Sequence, residues 1–333
     1  MTTFPVIAST LSAEHLIKWV KKKYGLAEST TCRLFRTGIN HTYFVSEKEN
    51  QYILRVYSFD WRTELEIGEE IRVLNMLKAA GIGVSCPIPD KKGEYVQRIS
   101  APEGMRYVVL FSFAEGEKVR HMAESTCAVV GSLMGEMHKI TLNRKVKRIE
   151  YTPRTLVQLP YQYASRYFLE SLSEMVFVKS AGEHLTTLFS QKNNENVRTG
   201  IVHLDIWYDN MSVLDSDKIT LFDFDFCGNG WLILDVAYFC MQLFHIEADK
   251  TQYELKAKSF LESYRDVMPI SEEEQRLLPY AGLAIWLFYL GVQSRRFDWS
   301  NVFLTENYLK MYIGKVKQWL NYHEVAINET DAC

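Results

Sequence analysis

Cysteine is scarce and scattered, with six in 333 residues (Cys32, Cys86, Cys127, Cys227, Cys240 and Cys333) and no CxxC pair among them. That excludes a CxxC-type zinc or redox site, offers no disulfide framework, and leads to the expectation of a reducing, cytoplasmic setting. An excess of positive charge is also missing. The 38 Lys and Arg stand against 41 Asp and Glu for a net charge of -3, which argues against a surface built to neutralise nucleic-acid phosphates. The opening MTTFPVIASTLSAEH lacks a cationic segment followed by an apolar one, so no secretory signal is expected and the mature chain is expected to start near Met1. The longest apolar run, Leu277 to Val292, is interrupted by Pro279 and ends against Arg295 and Arg296. It falls short of the roughly 18 to 20 residues that cross a bilayer and is expected to be a buried core helix, with no membrane partner.

What the chain does have is length and ordinary globular composition, 47% hydrophobic and 24% charged residues, which excludes collagen-like, low-complexity and wholly disordered classes. At roughly 150 residues per domain the length allows two domains or one long one. Residues 1–113 carry 15 basic and 12 acidic residues, and the remainder 23 and 29, so the two parts differ in sign. The first part reads as a helix, Ser12 to Tyr24 with Ser12 as N-cap, then strands at Cys32 to Arg36, Thr42 to Val45 and Tyr52 to Tyr57. A helical period over Glu64 to Ala80 follows, stopped by Gly81, and then strands at Tyr95 to Ile99 and Tyr107 to Phe113. After the polar stretch Ala114 to Arg120, helical spacing dominates: Met122 to Ile140, Tyr161 to Phe189, Trp231 to His245, Glu254 to Met268, Glu272 to Gln293 and Leu304 to Tyr322. A β island, Ile201 to Asp225, interrupts it. The expected fold class is therefore α+β, with a small β-rich N-terminal lobe (1–113), a larger mostly helical C-terminal lobe (114–333), and a small-molecule site in the cleft between them.

The β island carries the chemistry. It contains His203-x-Asp205-x4-Asn210, then Asp223-Phe224-Asp225 at the end of an apolar strand. Phosphoryl transfer needs a carboxylate to orient and deprotonate an alcohol, and hard oxygen ligands to hold Mg2+ against nucleotide phosphates. Asp205, Asn210 and Asp223 supply that set. An Asx-turn role for the same residues is the bland alternative, and three such residues around LFDFDF fit it poorly. His203 is expected to act mainly as structural support, and Asp209 as a turn or surface acid.

These segments are similar to the aminoglycoside phosphotransferase and choline kinase family, relatives of the protein kinases. Its HGDxxxxN and ID[FW][DE] patterns resemble HLDIWYDN and LFDFDF here. Upstream, GINHTYFV resembles the loop and strand over the nucleotide phosphates, YILRV places Arg55 at the phosphate-contacting position, and EIRVLNML places Glu70 at its helical ion-pair partner. VVLFSFAEGE resembles the hinge, and WLILDVAYF puts Asp235 at the structural aspartate after the metal site. The resemblance spans roughly residues 30 to 245 in the right order. It departs at Leu204 and Asp209, where the family has Gly, and Leu204 puts the backbone shape of the loop in question.

The resemblance implies a protein-kinase-like two-lobed fold that moves the γ-phosphate of ATP, or GTP, to a hydroxyl of a small molecule such as an amino alcohol, hydroxy amino acid, sugar or aminoglycoside. Asp205 would be the base with His203 beside it; Asn210 and Asp223 would hold Mg2+, with Asp225 as an auxiliary ligand. Gly38, Asn40, Thr42, Arg55 and Glu70 would serve the phosphates, and backbone groups near Phe111 and Phe113 the nucleotide base. A protein Ser/Thr kinase on the same scaffold and a nucleotide-binding pseudokinase are the alternatives. For the acceptor, the acidic balance of the second part with Trp231, Tyr238, Phe239, Trp286, Tyr289 and Trp299 suits a cationic or amphipathic alcohol. The helical spacing of these aromatics equally fits a core. Arg295 or Arg296 facing the site would instead suit a carboxylate or phosphate.

Overall fold

Alternation of apolar residues along the early strands lets one sheet face take a helix. Helix α1 (Ala13–Tyr24) starts at Ser12, whose side chain accepts from the His15 N–H, and buries Leu16, Ile17 and Val20. Those residues pack on Tyr43 and Val45 of β2 (His41–Glu47), Leu54 and Val56 of β3 (Asn50–Val56), and Val108 and Leu110 of β6 (Gly104–Ser112). With β1 (Thr31–Arg36), β4 (Pro87–Ile88) and β5 (Gln97–Ala101), these strands form an antiparallel six-stranded sheet in the order β1-β2-β3-β6-β4, β5 pairing with β6. Helix α2 (Glu64–Ala79) opens with a reciprocal cap between Thr63 and Glu66 and ends where Gly81 takes a φ of 86°. The structure, a computed structural model, describes residues 4–194, 196–215, 218–296 and 302–327. Trp299 and Cys333 lie outside these residues.

The remainder is mainly helical: α3 (Glu124–Thr141), α4 (Leu159–Ala164), α5 (Ser173–Phe189), α6 (Ile233–Ile246), α7 (Lys250–Val267), α8 (Glu272–Arg296) and α9 (Glu306–Tyr322). Gly131 lets α3 lie directly on α7, because a Cβ there would collide with the Phe260 carbonyl. Helix α8 is long and apolar enough to cross a membrane, but 78% of its apolar window is buried inside this part of the chain, where α4, α6 and α9 pack on it. Four short strands interrupt the helices. Strand β7 (Thr199–Val202) pairs antiparallel with β10 (Gly228–Trp231), and β8 (Met211–Leu214) pairs with β9 (Lys218–Leu221).

Two expectations need correction. The helix expected over Tyr161 to Phe189 is two helices, broken between α4 and α5, with Phe168 buried in the break at 3% exposure. Trp231 ends strand β10 instead of opening a helix, and GNGW pairs as a strand despite its two glycines. The reason is close approach: a Cβ on Gly228 would sit 2.7 Å from the Ile149 carbonyl oxygen. The chain divides into two compact units, Met1–Glu117 with Thr220–Phe222, and Lys118–Ile219 with Asp223–Cys333. The return of Thr220–Phe222 to the first unit is a connection that a single division at residue 113 does not contain.

Candidate active site

After β7 the backbone turns sharply. Leu204 takes a φ of 65°, a left-handed conformation that costs a non-glycine residue about 1–2 kcal/mol. Two features offset that cost. Asp235, in the first turn of α6 and fully buried, accepts from the His203 N–H at 2.8 Å and the Leu204 N–H at 2.6 Å. The Leu204 side chain is itself fully buried. The loop therefore adopts the conformation that glycine would favour while keeping an apolar anchor. His138 Nε2 lies 3.1 Å from the same Asp235 carboxylate, and its Nδ1 lies 2.8 Å from the Tyr264 hydroxyl.

His203 is buried, its ring 4.3 Å from that of Phe224, and its Nδ1 accepts the Asp205 N–H at 3.2 Å. That bond fixes the imidazole against the backbone that carries Asp205. The Asp205 carboxylate is held at both oxygens: the Tyr238 hydroxyl donates to Oδ1 at 2.7 Å, and Asn210 Nδ2 donates to Oδ2 at 2.6 Å. Asn210 Nδ2 also reaches the Asp205 carbonyl at 3.1 Å. A carboxylate only accepts, so the amide must turn its nitrogen toward Asp205 and its oxygen away. Burial pushes the Asp205 carboxyl up to about 8; the Asp223 charge adds to the rise, while hydrogen bonds from Tyr238, Tyr289 and Asn210 oppose it.

Asp223 follows β9 with a left-handed φ of 64°, which an aspartate tolerates better than most residues. The turn after it, Phe224–Phe226, is pinned from behind. Arg148 donates to the Asp225 carbonyl and, through Nε at 2.8 Å, to the Cys227 carbonyl, and the Tyr151 hydroxyl donates to the Phe226 carbonyl. Asp225 is 2% exposed. Asp209 is ion-paired with Lys118 at 2.7 Å.

The first unit assembles its own residues. Arg55 on β3 gives its Nη1 to Glu70 Oε1 at 2.8 Å, the Tyr57 hydroxyl donates to Glu70 Oε2 at 3.0 Å, and the guanidinium lies 5.0 Å from the Phe111 ring centroid. Thr42 stands opposite Arg55 in the β2–β3 ladder. Gly38 and Asn40 lie in the bend between β1 and β2, where Asn40 Oδ1 accepts the Ser58 N–H at 3.2 Å. Phe111 is buried opposite Pro87, and the Phe113 N–H donates to the Gln51 carbonyl at 3.3 Å.

Of the aromatics considered for the acceptor, Tyr238 holds Asp205, and Tyr289 stacks on Tyr238 with ring centroids 5.6 Å apart while donating to the Leu204 carbonyl at 3.2 Å. Phe239 belongs to the core, on Phe260, and Trp231 packs on Phe189. Arg295 is exposed, with its guanidinium 6.0 Å from the Tyr163 ring centroid. Sequence reasoning missed His138, Arg148 and Tyr151, which lie 97, 77 and 75 residues away from their partners and form no local pattern with them.

A homoserine kinase of Methylobacillus glycogenes is 24% identical over 300 residues, covering 86% of this chain and 87% of that one. An amicoumacin kinase solved with AMP-PNP and Ca2+ superposes with a TM-score of 0.77 at 19% identity, covering 96% of each chain. A microcompartment-associated aminopropanol kinase gives a TM-score of 0.75 at 18% identity, covering 95% of this chain and 100% of that one. The structural likenesses show the kinase-like fold, a β-sheet N-terminal region with a mostly helical C-terminal part. The sequence pattern of the phosphotransferase enzyme family (APH) matches residues 31–270, and the protein belongs to that family.

Proposed function

We propose that this protein is a small-molecule kinase that transfers the γ-phosphate of ATP to an alcohol, with Asp205 as the base. The observation that carries the reading is the Asp205 carboxylate held at both oxygens by Tyr238 and Asn210 on a loop fixed by Asp235. In the transfer, the acceptor oxygen bonds to the γ-phosphorus, the bond from that phosphorus to the β,γ-bridging oxygen breaks, and ADP leaves. The hydroxyl proton passes to Asp205, whose oxygens each keep a lone pair beyond the hydrogen bond they already accept.

The donor chemistry fits Mg2+. Asn210 turns a hard oxygen away from Asp205, Asp223 brings a carboxylate, and the Asp223 charge already raises the proton affinity of Asp205, a repulsion that a cation would relieve. Asn210 and Asp223 would hold the ion, with Asp225 behind them. The ion would neutralise charge on the transferring phosphoryl group. His203 positions Asp205 through its backbone N–H, and Arg55, paired to Glu70, is the residue for the nucleotide phosphates, a role that suits a guanidinium because it stays charged. Homoserine kinases and small-molecule kinases among the relatives support a small hydroxyl acceptor.

Replacing Asp205 by Ala tests the assignment. The expected outcome is a loss of kcat of about 10²-fold or more, the scale of a lost general base, with nucleotide affinity nearly unchanged by calorimetry. A near-normal kcat would remove Asp205 from the mechanism.

A further inference from the structure

The first unit holds an open cleft of about 730 Å3 between α2 and the chain entering β5. That volume falls within the roughly 300–1,000 Å3 of small-molecule pockets. One face of α2 lines the cleft with Glu64, Gly68 and Ile71, spaced four and three residues apart, and Glu94, Val96 and Arg98 supply the other wall. Lys23, in the last turn of α1, lines it as well. Gly68 has no role in the packing of the chain itself. Inside a helix glycine is destabilising relative to alanine. A Cβ at Gly68 would meet nothing within 4 Å, and its φ is not positive, so neither a close contact nor a left-handed backbone calls for glycine there. Its missing side chain leaves the α2 backbone open to the cleft, one turn before the buried Ile71.

The charges around the cleft select what would fill it. Two cations stand against two carboxylates, a balance that disfavours a polyanion such as a nucleotide and a polycation alike. Arg98 and Glu64 are hydrogen-bonded to each other. Lys23 and Glu94 are not paired in this way. The Lys23 ammonium reaches Asp90 at 3.9 Å, and among the described residues no hydrogen bond or ion pair satisfies the Glu94 carboxylate. Both residues are anchored on the same aspartate, since the Glu94 N–H donates to Asp90 Oδ1 at 3.0 Å. A cation and a carboxylate therefore share one rim of the cleft without neutralising each other. A zwitterion matches them, with its carboxylate on Lys23 and its ammonium on Glu94. Its remaining part would lie over Ile71 and Val96 toward the Gly68 backbone, where only an apolar group needs no partner.

We propose that this cleft is a binding site for a free α-amino acid with an apolar side chain, held by Lys23 and Glu94 at its charged end and admitted against α2 by Gly68. Every residue of the site belongs to the first unit and none has a part in the phosphoryl transfer described above, so the site stands apart from that reading. The ligand would brace α2, the helix that carries Glu70 to Arg55.

The test is calorimetric titration of the full chain with L-leucine, N-acetyl-L-leucine, which lacks the ammonium, and 3-methylbutan-1-amine, which lacks the carboxylate. Leucine is expected to bind about tenfold or more tighter than either analogue, as the loss of one charge-assisted hydrogen bond implies. Two variants place the binding in the cleft. Gly68→Leu puts a side chain into the open space and is expected to weaken leucine about tenfold or more, with a Tm no lower than that of the wild type. Lys23→Gln removes the charge facing the carboxylate and is expected to bring leucine to within about threefold of 3-methylbutan-1-amine. Its side chain is 37% exposed, so this second variant decides the matter if the first fails to fold. No saturable binding of leucine, an analogue that binds as tightly as leucine, or undiminished leucine affinity in either folded variant would overturn the site.

Discussion

Glu70 and Asp235 are both fully buried carboxylates, yet they are satisfied in opposite ways. Glu70, in the first unit, faces a guanidinium, Arg55, with a tyrosine hydroxyl on its second oxygen. Asp235, in the second, is met by two backbone N–H groups and a histidine. A carboxylate paired with arginine has its charge cancelled locally, whereas one bonded to peptide N–H groups keeps it. Asp205 follows the second pattern, with a tyrosine and an amide as donors and Asp223 near enough to raise its proton affinity. The segment carrying Asp205 and Asp223 therefore gathers carboxyl groups, with Asp205 held by neutral donors. That arrangement suits a divalent cation, whereas the Arg55–Glu70 pair carries its compensating charge with it.

The comparison predicts unequal responses to isosteric amides. Asp235→Asn must place an NH2 against a backbone N–H, and should cost about 3 kcal/mol or more in urea unfolding. Glu70→Gln keeps an acceptor for Arg55 and lets the Tyr57 hydroxyl accept instead, so its cost should be about 1–2 kcal/mol. The reverse order would break the distinction between the two carboxylates.

A second variant separates the strain of the loop from its anchoring. Leu204→Gly relieves about 1–2 kcal/mol of left-handed strain but removes a fully buried side chain whose loss costs about 2–5 kcal/mol. The net expectation is a destabilisation of about 1–3 kcal/mol by the difference of these terms. A rise in Tm would show that burial of Leu204 is not what holds this conformation. A smaller change is expected in ligand binding, where Asp223→Asn should weaken Mg·AMP-PNP about tenfold by calorimetry, since a charged oxygen donor becomes neutral. Unchanged affinity would remove Asp223 from the metal site.

The smallest effect concerns pH. Burial, reinforced by Lys315 and Lys250, pushes His245 down to about 3. Its folded value lies below the unfolded value of about 6.5, so the native state binds fewer protons than the unfolded one. The stability it contributes is complete above about pH 6.5 and is lost as pH falls from there toward 3, by at most ~1.4 kcal/mol per unit. Urea unfolding at pH 7 and pH 5 should therefore show a smaller loss in His245→Asn than in the wild type; parallel losses would place His245 in a more hydrated setting.

The helices and strands with strong period were legible in the sequence, and so was the spacing His203-x-Asp205-x4-Asn210, because a loop seven or eight residues long brings its own members together. The pairing of Arg55 with Glu70 was legible only through family resemblance, since Glu64, Glu66 and Glu69 offer equal charges on the same helix. The break between α4 and α5 left no trace, because SRYFLESL has neither glycine nor proline and Phe168 is buried by tertiary packing. Strand β10 was hidden by Gly228 and Gly230, which serve close backbone approach instead of a turn. The Tyr238 bond to Asp205 joins residues 33 apart, and the bond from Leu204 to Asp235 joins residues 31 apart, so neither has a local signature.

The central claim is transfer of a phosphoryl group to an alcohol through Asp205, and 31P NMR of the full chain with Mg·ATP and short hydroxy acids and amino alcohols tests it most directly. The account predicts a phosphomonoester and ADP in equal amounts, with neither formed at a comparable rate by Asp205→Asn. Production of ADP and free inorganic phosphate without any phosphomonoester, or the same ester at the same rate from Asp205→Asn, would contradict it.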